Sequence, residues 1–380
     1  MKQQGRFRHL PRFIAFMLLA TLTNLVSQVA WAGNLFSGPI NSPAGRYPGA
    51  LAAGDFNGDG FVDLAIANAN SNQPSSQVKI LLGNGNGTFQ KPAGYKVGYN
   101  PSSVAAGDFN GDGKVDLVIA NHPDRLSVLL GNGDGTFQHQ TRYYVGQNPW
   151  RVAVGDLNGD GELDLAVAGE SEAGTQIVRL GNGDGTFQPP TRVPAIHDAT
   201  HIALGDVNGD GKLDWVITSE NNRRAITTLL GNGDGTFRIA STLKNPPPSA
   251  IALGDFNGDG KLDLAVTSDK LRIWLGNGDG SFKSGSKYTV ARSPVAIAVA
   301  DFDGDGNLDI AVASQLSGEV SVFLGLGNGN FQQLIIFALS PVAMPIAMNA
   351  VDVNNDGRPD LVVTDKENGV VSVLLNTGKK

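Results

Sequence analysis

An Asp-rich stretch of nine residues recurs seven times along this chain of 380 residues and constrains its fold more than any other feature. The copy DFNGDGKVD, Asp108 to Asp116, has Asp or Asn at positions 1, 3, 5 and 9 and glycine at position 6. The position 1 residues lie 53, 48, 50, 49, 46 and 51 residues apart and are Asp55, Asp108, Asp156, Asp206, Asp255, Asp301 and Asp352. A regular period of roughly 20–50 residues indicates a solenoid, an array or a propeller.

A glycine-rich signature follows each Asp-rich copy. LLGNGDGTF, ending at Phe137, is typical of the first six, and the seventh breaks off at LLNTG, Leu374 to Gly378. Between the signatures, segments such as VDLVIAN, Val115 to Asn121, are short, β-branched and bounded by turn residues, which predicts strands. Each unit parses into four strands. The sequence therefore predicts an all-β fold, a seven-bladed β-propeller of four-stranded antiparallel blades.

The spacing of the signatures also predicts how the ring closes. Four of the six signature phenylalanines precede the next position 1 residue by 19 residues, and Phe36 precedes Asp55 by the same 19. The chain beyond residue 33 thus begins with a fourth strand, whereas its other end stops after a third strand near Leu375. We expect residues 34–47 to complete the seventh blade, because pairing the two ends would hide both sheet edges.

The first 32 residues differ in kind from the rest. Four basic residues precede the apolar run FIAFMLLA, and Ala30-Trp31-Ala32 follows, the order of a secretory signal peptide cleaved after Ala32. Polar residues such as Thr21 and Asn24 dilute the run, which disfavours a membrane anchor. We expect residues 33–380 to form one secreted domain, extracellular or periplasmic, with no membrane span.

Composition excludes several function classes. The chain has no cysteine, so neither disulfides nor thiol chemistry is available to it. Subtracting the four basic residues of the signal from 29 leaves 25, against 36 acidic residues, a net charge of −11. This acidic balance argues against nucleic acid as a partner. We expect a monomer.

The acidic stretches are candidate calcium sites. Side-chain oxygens at positions 1, 3, 5 and 9 and a carbonyl oxygen at position 7 can surround a hard cation, and glycine at position 6 permits the sharp turn. We expect up to seven Ca²⁺ ions. The ligands in the first four copies are Asp55, Asn57, Asp59, Phe61, Asp63; Asp108, Asn110, Asp112, Lys114, Asp116; Asp156, Asn158, Asp160, Glu162, Asp164; Asp206, Asn208, Asp210, Lys212 and Asp214. Those in the last three are Asp255, Asn257, Asp259, Lys261, Asp263; Asp301, Asp303, Asp305, Asn307, Asp309; Asp352, Asn354, Asp356, Arg358 and Asp360.

Two other interpretations of these stretches fit the sequence less well. Asp, Asn and Gly also favour plain turns, but seven identically spaced copies make coincidence a poor explanation. An EF-hand shares the first six positions but needs a bidentate Glu at position 12, where these copies have only Ile or Val, for example Ile119 and Val266.

Residues 34–380, with these two signatures, resemble the FG-GAP or VCBS repeat family, which includes the seven-bladed propeller heads of integrin α subunits. The resemblance implies that the Asp-rich loop joins the first two strands of a blade and binds Ca²⁺ on the lower face. This chain differs from integrins because all seven copies have the loop. The seventh departs most, since Asn355 replaces glycine and Pro359 precedes Asp360.

Candidate ligand-binding residues come from the predicted inner strand. Five residues before position 1, most copies have Ala or Ser, but the third and fourth have Arg151 and His201. Trp150 and His197 stand close to these two in the sequence. We expect Trp150, Arg151, His197 and His201 to form a ligand site at the upper mouth of the channel, because variation on one face of a rigid ring builds a binding surface. The alternative is that Arg151 and His201 merely fill the channel mouth.

These features predict a secreted, calcium-binding propeller that acts as an extracellular binding or adhesion module for glycan or protein ligands. A glycan is favoured because propellers that resemble this one include lectins. The alternative is an exported polysaccharide lyase or dehydratase, which would need His201, Arg151 and a tyrosine such as Tyr99 to converge. The sequence contains no Ser, His and Asp pattern of a known hydrolase, so we expect binding rather than catalysis.

Overall fold

A computed structural model describes residues 35–69, 76–146, 148–170, 175–194, 197–219, 225–244 and 247–378. The predicted signal peptide, residues 1–32, lies outside this part of the chain. The described residues form 28 strands in seven antiparallel sheets of four. The predicted seven-bladed β-propeller is confirmed.

The first four blades follow the chain from the inner strand to the outer strand. Their strands are β2 (Pro48–Gly54), β3 (Asp63–Asn68), β4 (Gln77–Leu81) and β5 (Ala93–Lys96); β6 (Pro101–Gly107), β7 (Asp116–Asn121), β8 (Arg125–Leu129) and β9 (Thr141–Tyr144); β10 (Pro149–Gly155), β11 (Asp164–Gly169), β12 (Thr175–Arg179) and β13 (Thr191–Pro194); β14 (Ala199–Gly205), β15 (Asp214–Ser219), β16 (Ala225–Gly231) and β17 (Phe237–Lys244).

The last three blades have the same form, except that the seventh takes its outer strand, β1, from the other end of the chain. Their strands are β18 (Ala250–Gly254), β19 (Asp263–Thr267), β20 (Lys270–Gly276) and β21 (Phe282–Thr289); β22 (Pro294–Ala300), β23 (Asp309–Ser314), β24 (Glu319–Gly325) and β25 (Phe331–Ala338); β26 (Pro345–Val351), β27 (Asp360–Asp365), β28 (Val370–Leu374) and β1 (Ile40–Pro43).

The seam of the ring runs between β1 and β28. Ile40 pairs with Val373 and Pro43 with Val370 in an antiparallel register. Phe36 forms a further bridge with Asn376, as Phe89 does with Gly83 in the first blade. Inner strands of successive blades are neighbours around the ring, and β2 lies beside β26. The two chain ends therefore rebuild the split signature of the seventh blade.

The fourth strand begins at the signature phenylalanine in three blades and later in three others. In blades four to six it begins at the signature phenylalanine, but in blades one to three it begins at Ala93, Thr141 and Thr191. There the phenylalanine forms only an isolated bridge with the first glycine of the turn. Pro92 in blade one and Pro190 in blade three lack the N–H that an earlier ladder bond would use.

The core is a ring of interfaces between blades. The second strand of every blade is buried along its whole length, for example β7 with the sequence DLVIAN, because each sheet packs between two others. The buried apolar residues form seven clusters, each shared by two successive blades. One cluster joins Leu157 and Ala166 of blade three to Trp215 and Phe237 of blade four.

Removing the N-terminal strand tests the seam. Deletion of residues 33–48 should abolish cooperative unfolding or lower its midpoint strongly, because it exposes the edge of β28 and removes Phe36 from the core. Phe36→Ala should alone cost about 3–5 kcal/mol of unfolding free energy. Phe36 is 2% exposed and its ring lies 5.6 Å from Phe302 and 5.3 Å from Phe337.

The measurement is urea unfolding followed by tryptophan fluorescence. Leu316→Ala is the control, because Leu316 is 65% exposed and its truncation should change the free energy by about 0.5 kcal/mol or less. A deletion variant with the parent's midpoint would show that the seam is not needed.

Candidate functional site

Each blade places two kinds of loop on each face of the ring. Since the strands are antiparallel, the Asp-rich loops between strands one and two share a face with the glycine-rich turns between strands three and four. We name this the lower face. The connections between strands two and three, and those between blades, lie on the upper face.

The Asp-rich loop folds around its position 1 carboxylate. In the first copy, Oδ1 of Asp55 accepts hydrogen bonds from the N–H groups of Gly58 at 2.7 Å and Asp59 at 3.2 Å, and Oδ2 accepts one from Gly60 at 2.9 Å. The bonds from positions 5 and 6 recur in all seven copies. Gly60 has a φ of 81°, a conformation that favours glycine.

The seventh copy keeps this loop despite its substitutions. Asn355 stands where the other copies have the glycine at position 4, and it adopts the left-handed conformation with a φ of 56°. Asparagine tolerates that conformation better than most residues. Its Nδ2 also donates to the carbonyl oxygen of Gly60 in the next loop around the ring, at 3.0 Å.

The sixth copy brings three carboxylates together. Here position 3 is also aspartate, and one oxygen each of Asp301, Asp303 and Asp309 lie within 4.8 Å of one another. This spacing can hold a metal ion, and the donors are all oxygens, which hard divalent cations prefer.

The position 9 aspartate has a second role that its spacing did not reveal. Asp63 is fully buried, and its Oδ2 accepts from the N–H of Phe56 at 2.9 Å while its Oδ1 accepts from the N–H of Gly83 at 2.6 Å. The same two bonds recur in every blade, with Asn376 as the second donor in the seventh. Position 9 therefore ties the loop to the glycine-rich turn of its own blade.

Burial also changes the acidity of these carboxylates. Desolvation raises the pKa of Asp63 and Asp360 to about 6 and that of Asp309 to about 7, and neighbouring loop aspartates add to the shift. The backbone hydrogen bonds act in the opposite direction but do not cancel the effect of burial. The position 9 carboxylates thus carry their charge at a cost, which a nearby cation would offset.

A cavity of about 440 Å³ lies at the centre of the upper face. The residue five places before position 1 lines it in every blade; these residues are Ala50, Ser103, Arg151, His201, Ala250, Ala296 and Ala347. Two long polar side chains from adjacent blades therefore replace the small residues of the other five. The two positions at which the sequence departs from small residues therefore line the same cavity.

Arg151 and His201 contact each other in this cavity. Nη2 of Arg151 lies 3.4 Å from Nε2 of His201, and Nη1 donates to the carbonyl oxygens of Ser102 at 3.3 Å and Trp150 at 3.2 Å. Desolvation, helped by the positive charge of Arg151, lowers the pKa of His201 to about 3. The imidazole is therefore neutral at pH 7 and accepts from the guanidinium.

Trp150 and His122 form the side of the cavity next to Arg151. Trp150 is the extra residue of a β-bulge, since Pro149 pairs with Gly169 and Arg151 with Ala168. The Trp150 ring is 37% exposed and stands edge-on to the His122 ring at 4.7 Å. Nδ1 of His122 lies 3.3 Å from Oδ1 of Asn148, whereas its buried Nε2 has no hydrogen-bond partner among the described residues.

The sequence prediction did not include His122. It directly follows β7 of blade two, whereas Trp150 belongs to blade three, and only the packing of the blades brings them together. Of the four predicted ligand residues, Trp150, Arg151 and His201 line the cavity. His197 lies in the connection before β14, and neither it nor Tyr99 is among the residues lining the cavity in the described part of the chain.

A sequence profile of the FG-GAP-like repeat matches residues 55–119, 108–167, 156–217, 206–266, 255–312 and 301–363. Each match begins at an Asp-rich loop and ends in the second strand of the next blade. The chain belongs to the FG-GAP repeat family. No curated protein sequence matches it.

The FG-GAP propeller is similar to the solved structure of the periplasmic gluconolactonase PpgL of Pseudomonas aeruginosa. The TM-score is 0.58 at 18% identity, over 77% of this chain and 86% of that chain. At this identity the likeness concerns the fold alone. No helix in the described residues is long and apolar enough to cross a membrane.

The low pKa of His201 predicts a pH dependence of stability. Between pH 6.5 and about 3 the unfolded chain binds a proton at His201 that the folded chain does not, so stability falls as the pH falls through this window. In His201→Gln this proton is absent. In the middle of this window, the slope of the unfolding free energy against pH should therefore be smaller in His201→Gln than in the parent protein, by about 1.4 kcal/mol per pH unit.

Urea unfolding at pH 7, 6, 5 and 4 measures this difference. Arg151→Met should narrow this pH window from its acidic end, because it removes the smaller of the two causes of the low pKa of His201. If the unfolding free energies of the parent and of His201→Gln changed in parallel with pH, His201 would not have a low pKa in the folded protein.

Proposed function

We propose that the protein is an exported, calcium-binding propeller whose upper channel mouth binds a glycan. The Asp-rich loops of the lower face support calcium binding. The cavity around Arg151 independently supports glycan binding. The order of basic, apolar and small residues before Gly33 supports export by a signal peptide.

The donor chemistry of the loops supports calcium. Each loop offers carboxylate, amide and carbonyl oxygens without nitrogen or sulfur ligands, the set that Ca²⁺ takes in six- to eight-fold coordination. Side chains at positions 1, 3, 5 and 9 and the carbonyl oxygen of position 7 would hold the ion. The triad of Asp301, Asp303 and Asp309 is the observation that carries this part of the proposal. A divalent ion would also offset the energetic cost of burying the position 9 carboxylates in their charged form.

The channel mouth supports glycan binding. The aromatic side chains that are strongly exposed in the described residues are Tyr47, Tyr99, Tyr144 and Trp150, and all belong to the upper ends of blades one to three or the connections there. Such rings offer flat faces for the C–H groups of sugars. The convergence of Trp150, Arg151 and His201 on one cavity carries this part of the proposal.

The same cavity favours binding over proton abstraction. A base with a pKa of about 3 removes protons poorly at neutral pH, so His201 is a weak candidate for the base of a lyase. Its neutral imidazole is better suited to hydrogen bonding.

Calcium removal should lower the melting temperature markedly. At ten times Kd each site contributes about RT ln 11, roughly 1.4 kcal/mol, and seven independent sites would sum to about 10 kcal/mol. The measurement is thermal unfolding in EDTA and after calcium is restored, with titration calorimetry for the number of ions bound.

A matched pair of variants localises the effect. Asp210→Asn at position 5 of the fourth loop should reduce the number of ions bound by one. Asp234→Asn changes an exposed aspartate in the turn of the same blade and should keep the full number. A melting temperature that EDTA leaves unchanged would rule out calcium as a structural ion.

A glycan array tests the upper mouth. The parent protein should bind a subset of glycans, and the double variant Arg151→Ala/His201→Ala should lose at least tenfold in affinity, about 1.4 kcal/mol. Unchanged binding by the double variant would remove the site from consideration. Formation of unsaturated products from an acidic polysaccharide would instead support the lyase alternative.

A further inference from the structure

Arg151 supplies the formal charge among the described residues of the channel mouth. Among the described residues that line the cavity, Arg151 is the only Arg, Lys, Asp or Glu. The lower face is rich in aspartate, and residues 33–380 have a net charge of −11. Arg151 thus places a positive charge in a cavity of an acidic protein, where the low dielectric strengthens its attraction for an anion.

The two sides of the cavity differ in polarity. Blades two to four contribute its hydrogen-bonding and aromatic groups, whereas blades five to seven and one contribute mainly aliphatic side chains. The aliphatic side includes Ile251, Ile297, Ile346 and Met348. A ligand that fills this space needs one charged or polar edge and one apolar face.

Trp150 stands at a position that carries a hydroxyl residue in three other blades. Six residues before position 1, Ser102, Thr200 and Ser249 donate their hydroxyls to nearby backbone carbonyl oxygens, at 2.8 to 3.4 Å. Trp150 instead presents an exposed ring at the mouth. The aromatic wall is therefore a feature of blade three and not of the repeat.

His122 supports the Trp150 ring at the edge of the cavity. Its Nε2 is buried, its residue lines the cavity, and the ring is held by Trp150 and Asn148.

We propose that the upper mouth selects a sugar acid, with its carboxylate bound by Arg151 and its ring face on Trp150. The inference rests on the proposed glycan binding and narrows it to uronic acids or their oligomers. Arg binds carboxylates through two parallel N–H donors, which gives both affinity and orientation. The cavity volume lies within the range of roughly 300–1,000 Å³ typical of small-ligand sites.

The experiment compares each acid with its own neutral ester. Galacturonate, glucuronate and trigalacturonate, and the methyl ester of each, are titrated by calorimetry into the calcium-loaded protein. The esters keep the ring and the hydroxyls but lose the charge. We expect at least one acid to bind tenfold or more tightly than its ester, with an affinity that falls as salt is raised.

Variants assign the preference to Arg151. Arg151→Met should abolish the difference between acid and ester, and Arg151→Lys should retain part of it, because the charge remains without the two parallel donors. Trp150→Ala should weaken acid and ester alike. Arg142→Met is the control, since it removes an exposed arginine from β9 and should leave the preference intact. Melting curves in calcium confirm that each variant is folded.

The outcomes separate this inference from the proposed function. Equal binding of acid and ester by the parent, or a preference that survives in Arg151→Met, overturns the sugar-acid assignment. Binding of neutral glycans alone on the array would leave the glycan function in place and also overturn it. If no glycan, acidic or neutral, binds the parent, both proposals fail.

Discussion

The pair of backbone hydrogen bonds accepted by each position 9 carboxylate is the interaction on which the ring depends. Asp63 joins the N–H of Phe56 in its own loop to that of Gly83 in the glycine-rich turn, and six other aspartates repeat the arrangement. Replacing this carboxylate with an apolar group would leave two buried N–H groups without partners. The bonds use backbone donors, so the neighbouring side chains are free to vary.

The link continues from one blade to the next on the lower face. The N–H of Gly135 in the second turn donates to the carbonyl oxygen of Phe56 in the first loop at 2.9 Å, and Phe137 packs edge-on against Phe56 at 5.6 Å. Blades two and three repeat the arrangement through Gly185 and Phe109. These links hold the inner strands of the blades they join at one height. Residues at equal distance from the loop, such as Arg151 and His201, therefore reach one cavity on the opposite face.

The sequence predicted most of the features that recur in every blade. It predicted few of the contacts between blades or between residues far apart in the chain. Blade number, strand count and the acidic loops follow from a period that seven copies make hard to miss. The spacing from Phe36 to Asp55 was enough to predict a strand supplied by the N-terminal region, and β1 pairs with β28. His122 was missed because its contact with Trp150 crosses between blades. The second role of Asp63 was missed because Gly83 lies 20 residues away, and nothing in the spacing joins them.

The seam between β1 and β28 imposes an order on folding. Ser372 donates to Asn41 across 331 positions of the chain, so the first strand to be synthesised finds its partner last. Blades one to six need only contacts within and between successive repeats and can form as the chain lengthens. The seventh blade cannot form until β28 has been made. A nascent chain interrupted before Val370 would keep β1 as an unpaired strand, so one exposed sheet edge marks every chain in which the ring has not yet closed.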